Sequence, residues 1–327
     1  MTIAAKKITH SVSPDGIELK TALLRYPRFI HAEELTHRIL SSTPDMIIEI
    51  NDGVMYDRNL SRNASSSRAI PVSRLIEDIL RDTAMPIHWG KNQRGMQADE
   101  EHRAPIFIEA IDEQNLKPCF LELSPEEAWI LARDKAIKIA QAFDESGYHK
   151  QVVNRLLEPF AHISVLVSAT EWDNFFELRD HKDAQPEIQA LAIALKNAFA
   201  ESVPDQLRPG EWHLPFVTEY EREWLDLPTQ IKISVARCAR TSYLTHEGKQ
   251  PLVHKDLQLY HDLVGARPLH ASPAEHQATP DVRVPGQVGP YGEWRVEHWQ
   301  APELHGNFRG FIQNRKIIER QIYARAA

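Results

Sequence analysis

The sequence predicts a globular chain in which strands and helices are interspersed, and three observations predict it. The 327 residues are 42% hydrophobic and 26% charged, enough apolar material for one large domain or two moderate ones. Apolar runs follow turn residues, as in ELKTALLRY after Pro14-Asp15-Gly16. Elsewhere apolar residues recur at helical spacing behind recognisable caps. The formal net charge of −8 excludes a general nucleic-acid coat, while local basic patches remain able to hold one nucleotide. Two cysteines without metal spacing or a disulfide framework fit a reducing interior. MTIAAKKITHSVSPDG has no apolar signal region and no stretch reaches membrane-span length, so a cytoplasmic protein with no membrane partner is expected.

In order along the chain, residues 18–24 read as a strand ending near Pro27. Phe29 to Leu40 is helical in pattern, with Ile30, Leu35 and Ile39 on one side. Residues 41–60 hold two apolar runs around Asn51-Asp52-Gly53, a hairpin signal. PVSRLIEDILRD is a short amphipathic helix, and 85–99 a polar loop. A long helix opens at Ser124-Pro125-Glu126-Glu127, with Ser as N-cap, and ends before Gly147. A second begins near Lys150 and stops at Pro159. HISVLVSAT is a strand or a buried apolar run; a helix through Arg179 and another over 186–201 follow. Residues 203–230 read as a connection, and IKISVARCARTSYL as a strand or a helix, which periodicity does not decide. DLQLYHDLVG is helical, 271–304 is expected to be irregular, and the tail 300–327 is a basic helix. No internal repeat is present.

The chemistry concentrates in Ser61-Arg62-Asn63-Ala64-Ser65-Ser66-Ser67-Arg68. Such a run is poor helix interior and poor strand, because short polar side chains compete for backbone groups and favour caps and anion-holding turns. A plain surface turn is the alternative. Guanidinium forks suit phosphate, and arginines recur beside Asn, Ser or His at Arg38, Arg68, Arg155, Arg179 and Arg240. For each, an anionic ligand and a structural ion pair are the two natural partners. Sixteen histidines include no metal-binding spacing, and no phosphate loop, nucleophile elbow or cysteine nucleophile motif is present.

These residues resemble the flavin-dependent thymidylate synthases, whose signature is R-H-R-x-x-S-x-N-x-x-S-x-R. His37 and Arg38 match its start, and Ser61, Asn63, Ser66 and Arg68 its end, once residues 41–60 are set aside as an insertion. That insertion is a solvent-exposed excursion or a substrate lid. NFFELRDHKDAQPEI over 174–188 resembles the family's N-F-x-x-L-R and A-Q-x-E-I, NRLLEP its A-R-x-x-L-P, and KNQRGMQ a segment after the signature. Ala239-Arg240-Thr241-Ser242-Tyr243 and His270-Ala271-Ser272-Pro273-Ala274-Glu275-His276 resemble blocks that precede the signature in relatives. Here they follow it, so the chain looks like a circular permutant, with 231–280 matching the family's N-terminal part. Five blocks keep one cyclic order, and surface termini make permutation tolerable.

The resemblance implies one α+β domain over 1–327, a mixed sheet flanked by helices, assembled as a homotetramer. It implies FAD, NADPH and methylene-tetrahydrofolate as cofactors, and reductive methylation of dUMP at C5. By motif position the catalytic role falls on Arg179, with the Ser66 hydroxyl. Glu33, Thr36, Ser66, Ser67, Arg68, Arg155 and Arg179 would bind the pyrimidine nucleotide. His37, Arg38, Asn63, Asn174, Ser242 and His276 would contact the flavin. Departures fall on these contacts: Thr36 replaces the first Arg, Ala64 an acidic residue, Ala69 a Tyr and Glu33 a Gln, and SATEWD lacks the family's Asn and Arg. They open an alternative, methylation or hydroxymethylation of dCMP or dUMP, and, from another class, a non-catalytic flavin- or nucleotide-binding relative. An RNA-modifying role fits poorly with the charge of −8.

Overall fold

A computed structural model of the chain describes residues 3–36, 60–64, 70–95, 98–111, 117–240, 252–265, 271–288, 294–295 and 297–326. The elements in chain order are β1 (Ala4–Val12), β2 (Glu18–Pro27), α1 (His31–Thr36), β3 (Leu60–Ala64), α2 (Val72–Arg81), β4 (Ile106–Ile111), β5 (Pro118–Leu123), α3 (Pro125–Glu145), α4 (Lys150–Val153), β6 (His162–Ala169), α5 (Asp173–Arg179) and α6 (Pro186–Ala200). There follow β7 (Asp205–Gln206), α7 (Glu219–Trp224), α8 (Leu227–Ala239), α9 (Val253–Val264), β8 (Ala278–Pro280), β9 (Arg283–Val284), β10 (Gln287–Val288), β11 (Trp294–Arg295), β12 (His298–Trp299), β13 (Phe311–Gln313) and α10 (Asn314–Ala326).

The central sheet has the order β3-β6-β2-β1-β7. Its pairs are antiparallel except β1 with β7, which makes it mixed. The α+β expectation is met: a mixed sheet flanked by helices. Strand alternation gives the sheet two chemically different faces. On one, Ala22, Leu24 and Tyr26 stand opposite Val167, Val165 and Ile163. This face buries Phe175 of α5 and Ile188, Leu191 and Leu195 of α6 in one apolar core. On the other, Thr21 stands opposite Ser168 and Arg25 opposite Ser164. The C-terminal segments cover that face, with Leu19 packed against Ala278, Phe308 and Phe311. A separate core joins α2 and α3 through Leu75, Ile79, Ile137 and Ala140 to Val153, Leu157 and Phe160.

Local signals hold where the sequence carries them. Ser124 and Glu127 close a capping box on α3, and Gly147 (φ 82°) lies just past that helix's end. The alternatives left open for 162–170 and 231–244 resolve as strand β6 and, as far as Ala239, helix α8, residues 241–244 lying outside the described residues.

Several expectations are corrected. The hydroxyl-rich run is strand, not turn, over Leu60–Ala64, because β6 offers it a full ladder partner that outweighs weak strand propensity. Residues 65–69 and the hairpin expected at 41–60, except Leu60, lie outside the described residues. Phe29–Leu40 opens as a 3-10 turn before α1, and the part past Thr36 is likewise outside. The helix expected over 150–159 is α4 followed by two 3-10 turns, Pro159 lying in the second. The connection 203–230 contains α7, opened by a Thr218–Glu221 capping box, and the start of α8, capped by Asp226. The basic tail is helical only from Asn314. Gly310 sits at φ 69°, where an added Cβ would meet Ile17 Cδ1 at 2.7 Å, so the chain turns there and pairs as β13 before α10. β1 and the β4–β5 hairpin had no reading in the sequence.

Candidate functional site

The carboxyl end of β6 gathers three of the sequence blocks. β3 lies beside it, with Leu60 opposite Ala169 and Ser61 opposite Ser168. Three residues after β6, Trp172 donates Nε1–H to the Ala169 carbonyl (3.1 Å) and so fixes the entry of α5. Trp172, Phe175 and Phe199 stack edge to face, which buries the aromatic side of α5. On the opposite face, Ser168 Oγ lies 2.8 Å from His276 Nδ1. His276 ends the 3-10 turn Ser272–Glu275, which packs on β3, α8 and α10. Arg315 pairs with Glu275 and Gln313 Nε2 donates to the Glu275 carbonyl (3.0 Å), which anchors that turn.

Asn174, Arg179 and His276, all named by the sequence, each carry a buried polar atom without a partner among the described residues: Oδ1, Nε and Nε2. Buried polar groups are normally paired, so each of these three atoms is open to a water or a ligand. Burial pushes His276 down to about 3, so its ring is neutral at ordinary pH. A neutral imidazole and a carboxamide fit the polar rim of a flavin or pyrimidine ring, whose edges alternate donors and acceptors. The residues present therefore fit the flavin that the motif implies.

Arg155 lies elsewhere. It precedes the amino end of β6, and eight residues at about 3.3 Å each separate the two ends. Its guanidinium bonds Glu158 at 2.9 and 3.1 Å, and its side chain is 58% exposed. With Phe143, Gln151, Val152 and Leu156 it lines an open groove of about 520 Å³, within the range of small-ligand sites. Beside it, Asn154 Nδ2 donates to the Ile70 carbonyl (2.9 Å), fastening the chain that leaves the signature run next to Arg155. For Arg240 the structural ion pair is realised: it holds the fully buried Asp256 at 2.9 Å, together with Arg237.

Glu33 and Thr36 lie in α1 and Asn63 in β3, in register with Leu166. His37, Arg38, Ser66, Ser67, Arg68 and Ser242 are outside the described residues. The sequence reading missed three residues that hold His276: Ser168, Thr21 and His213. Thr21 Oγ1 lies 2.6 Å from Ser168 Oγ and 2.8 Å from His213 Nε2, whose Nδ1 lies 2.8 Å from Ser11 Oγ. A serine interrupting the apolar run HISVLVSA is the one trace of this in the sequence. Burial pushes the Cys238 thiol up, which makes it inert as a nucleophile.

No protein-family model matches the chain, and no curated protein matches it. Among solved structures it is similar to a UMP/dUMP methylase, PolB from Streptomyces cacaoi, bound with 5-Br UMP. Identity is 14%, 61% of this chain and 89% of that one are covered, and the TM-score is 0.38. The same enzyme bound with 5-Br dUMP gives 14% identity, 61% and 90% coverage, and a TM-score of 0.37. No helix of the described residues is long and apolar enough to cross a membrane.

Proposed function

We propose that this chain is an enzyme that transfers a one-carbon unit to C5 of a pyrimidine deoxynucleotide with the help of a bound flavin. The reading favoured is reductive methylation of dUMP to dTMP with methylene-tetrahydrofolate and NADPH. The observation that supports it is that β3, α5 and the His276 turn all adjoin the carboxyl end of β6, α5 on one face of the sheet and His276 on the other, with an unmet buried polar atom on each of Asn174, Arg179 and His276. Each of these segments is matched to a different motif block of the family.

Asn174 and His276, with His37, Arg38, Asn63 and Ser242 by motif position, would hold FAD. The flavin would supply the hydride. The remaining work belongs to the protein. C5 of uracil is a weak nucleophile, strengthened when negative charge develops toward N3 and O2. A guanidinium fixed there before reaction stabilises that charge without reorganising, and Arg179 is the residue in that motif position. Arg155, beside the chain leaving the signature run, would take the nucleotide phosphate with Arg68 and the Ser66 and Ser67 hydroxyls. The length of β6 separates it from the ring-binding group, so a nucleotide site drawing on both is best completed by Arg155 from a second subunit. Such sharing is what the homotetramer implied by the resemblance would provide. Glu33 and Thr36, changed from the family's residues, favour the second reading, in which dCMP is the base recognised or hydroxymethyl the group added.

The test is turnover with flavin occupancy. Purified protein should be yellow, and its reduced flavin should be reoxidised anaerobically only with nucleotide and folate present. Tritium release from C5 of dUMP or of dCMP separates the two substrates. Arg179→Lys keeps a cation but loses the planar fork, and should lower kcat by about 10²–10³ with flavin content unchanged. Near-normal turnover by that variant would refute the role of Arg179. Bound flavin without any turnover would support the non-catalytic relative instead.

A further inference from the structure

Five fully or almost fully buried side chains form one unbroken line across the sheet: Ser11, His213, Thr21, Ser168 and His276. The successive separations are 2.8, 2.8, 2.6 and 2.8 Å. Thr21 and Ser168 are direct cross-strand partners on β2 and β6, and Ser11 comes from β1. The two histidines ride on one layer, since His213 N–H donates to the carbonyl of Ala278 (2.8 Å), two residues after His276.

A hydroxyl has one proton, so Thr21 and Ser168, each set between two partners, can donate in one direction only. Burial pushes both imidazoles down to about 3, so each carries a single ring proton. The line therefore has two arrangements. If it runs from His276, Nδ1–H donates to Ser168, Ser168 to Thr21, Thr21 to His213 Nε2, and His213 Nδ1–H to Ser11. That leaves the Ser11 O–H and the His276 Nε2 lone pair both unmet, because Ser11 Oγ has no second partner among the described residues. If it runs from Ser11, every hydroxyl proton and the His213 proton are used, and one group is unmet, the His276 Nε2–H. Leaving fewer buried polar groups unpaired decides between them.

We propose that Ser11, His213, Thr21 and Ser168 are positioning residues that hold His276 in the Nε2–H tautomer, so that its ligand presents a hydrogen-bond acceptor such as a ring carbonyl. A ligand that instead offers a proton to Nε2 must reverse every bond in the line. The tautomer belongs to the chain itself. Identifying the acceptor with a carbonyl of the flavin rests on the function proposed above.

The experiment is long-range ¹H–¹⁵N correlation on the full-length protein labelled in its histidine rings, with His276→Gln and His213→Gln used to assign signals. The wild type should show His276 with a protonated Nε2 and an unprotonated Nδ1. Ser11→Ala removes the end of the line without touching His276. It makes the two arrangements leave equal numbers of unmet groups, so the His276 signals should move to a mixture of tautomers. Thr21→Val cuts the line at its middle and should shift His276 as well. A wild-type Nδ1–H tautomer, or a His276 signal unmoved in Ser11→Ala while His213 responds, would overturn the proposal. Titration of each variant with FAD reads the ligand separately. A several-fold weaker affinity in Ser11→Ala supports the carbonyl acceptor. No flavin binding by any form, with the tautomer as expected, overturns the flavin identification and leaves the relay standing.

Discussion

The two faces of the central sheet are built from the same strands and do opposite things. One face meets α5 and α6 with Ala22, Leu24, Tyr26, Ile163, Val165 and Val167 in one apolar cluster. The other carries Thr21 and Ser168 at buried positions and answers them with two neutral histidines. A Val and a Ser one residue apart on β6 thus serve different ends. The apolar face supplies undirected burial, which any well-shaped hydrocarbon provides. The polar face supplies direction, because each hydrogen bond fixes which atom of the next group is free. The cost of direction is vulnerability: an apolar core is indifferent to pH, and a buried imidazole is not.

Four experiments break or sharpen this contrast. The largest effect belongs to the apolar face. Leu191→Ala in α6, at a fully buried position, should destabilise by about 2–5 kcal/mol in urea unfolding, with the loss equal at pH 7 and pH 5. The polar face should show the pH dependence. His213 and His276 have folded values near 3 against an ordinary 6.5, so the unfolded chain binds their protons more readily. Their contribution is complete above pH 6.5 and is lost as pH falls toward 3. By pH 5 each should have cost about 2 kcal/mol. Removing one histidine by His213→Gln should flatten the stability–pH slope between pH 7 and 5, whatever it does to stability at pH 7. An unchanged slope would mean that these rings are not buried and neutral.

Next, Thr21→Val preserves shape but strands Ser168 and His213 Nε2, and should cost about 1–3 kcal/mol. Were this change neutral in urea unfolding, the line of hydroxyls would be incidental to the fold. Ser124→Ala, at the cap of α3 and away from both faces, should cost about 1 kcal/mol with no change in the stability–pH slope. It calibrates what a solvent-exposed hydrogen bond contributes in the same chain.

How much was legible in advance divides along the same line. β2, α2, α3 and α6 were readable because turn residues, caps and periodicity act within a few residues of sequence. Asn174, Arg179 and His276 were singled out by resemblance to family motifs, and each holds an unmet buried atom. β1 escaped because Lys6 and Lys7 break its alternation, and the β4–β5 hairpin stands apart as a two-stranded sheet with Phe107, Ile111 and Phe120 exposed. The strand at Leu60–Ala64 escaped because its pairing partner lies about a hundred residues away on β6.

The sequence by itself determined the punctuation of this chain and the chemical character of its motif residues, since both rest on side chains a turn or a strand apart. The tertiary structure alone decided which face of the sheet became polar, that Arg240 is held by Asp256 while Arg179 Nε is left unmet, and that His276 is wired to His213. Those outcomes depend on partners 16 to 202 positions apart in the chain, such as Arg240 with Asp256 and Ser11 with His213. Such pairs meet only when the sheet has formed and the C-terminal layer has closed over it. A local pattern carries no record of which distant donor will arrive. Burial then turns that arrival into a fixed proton arrangement.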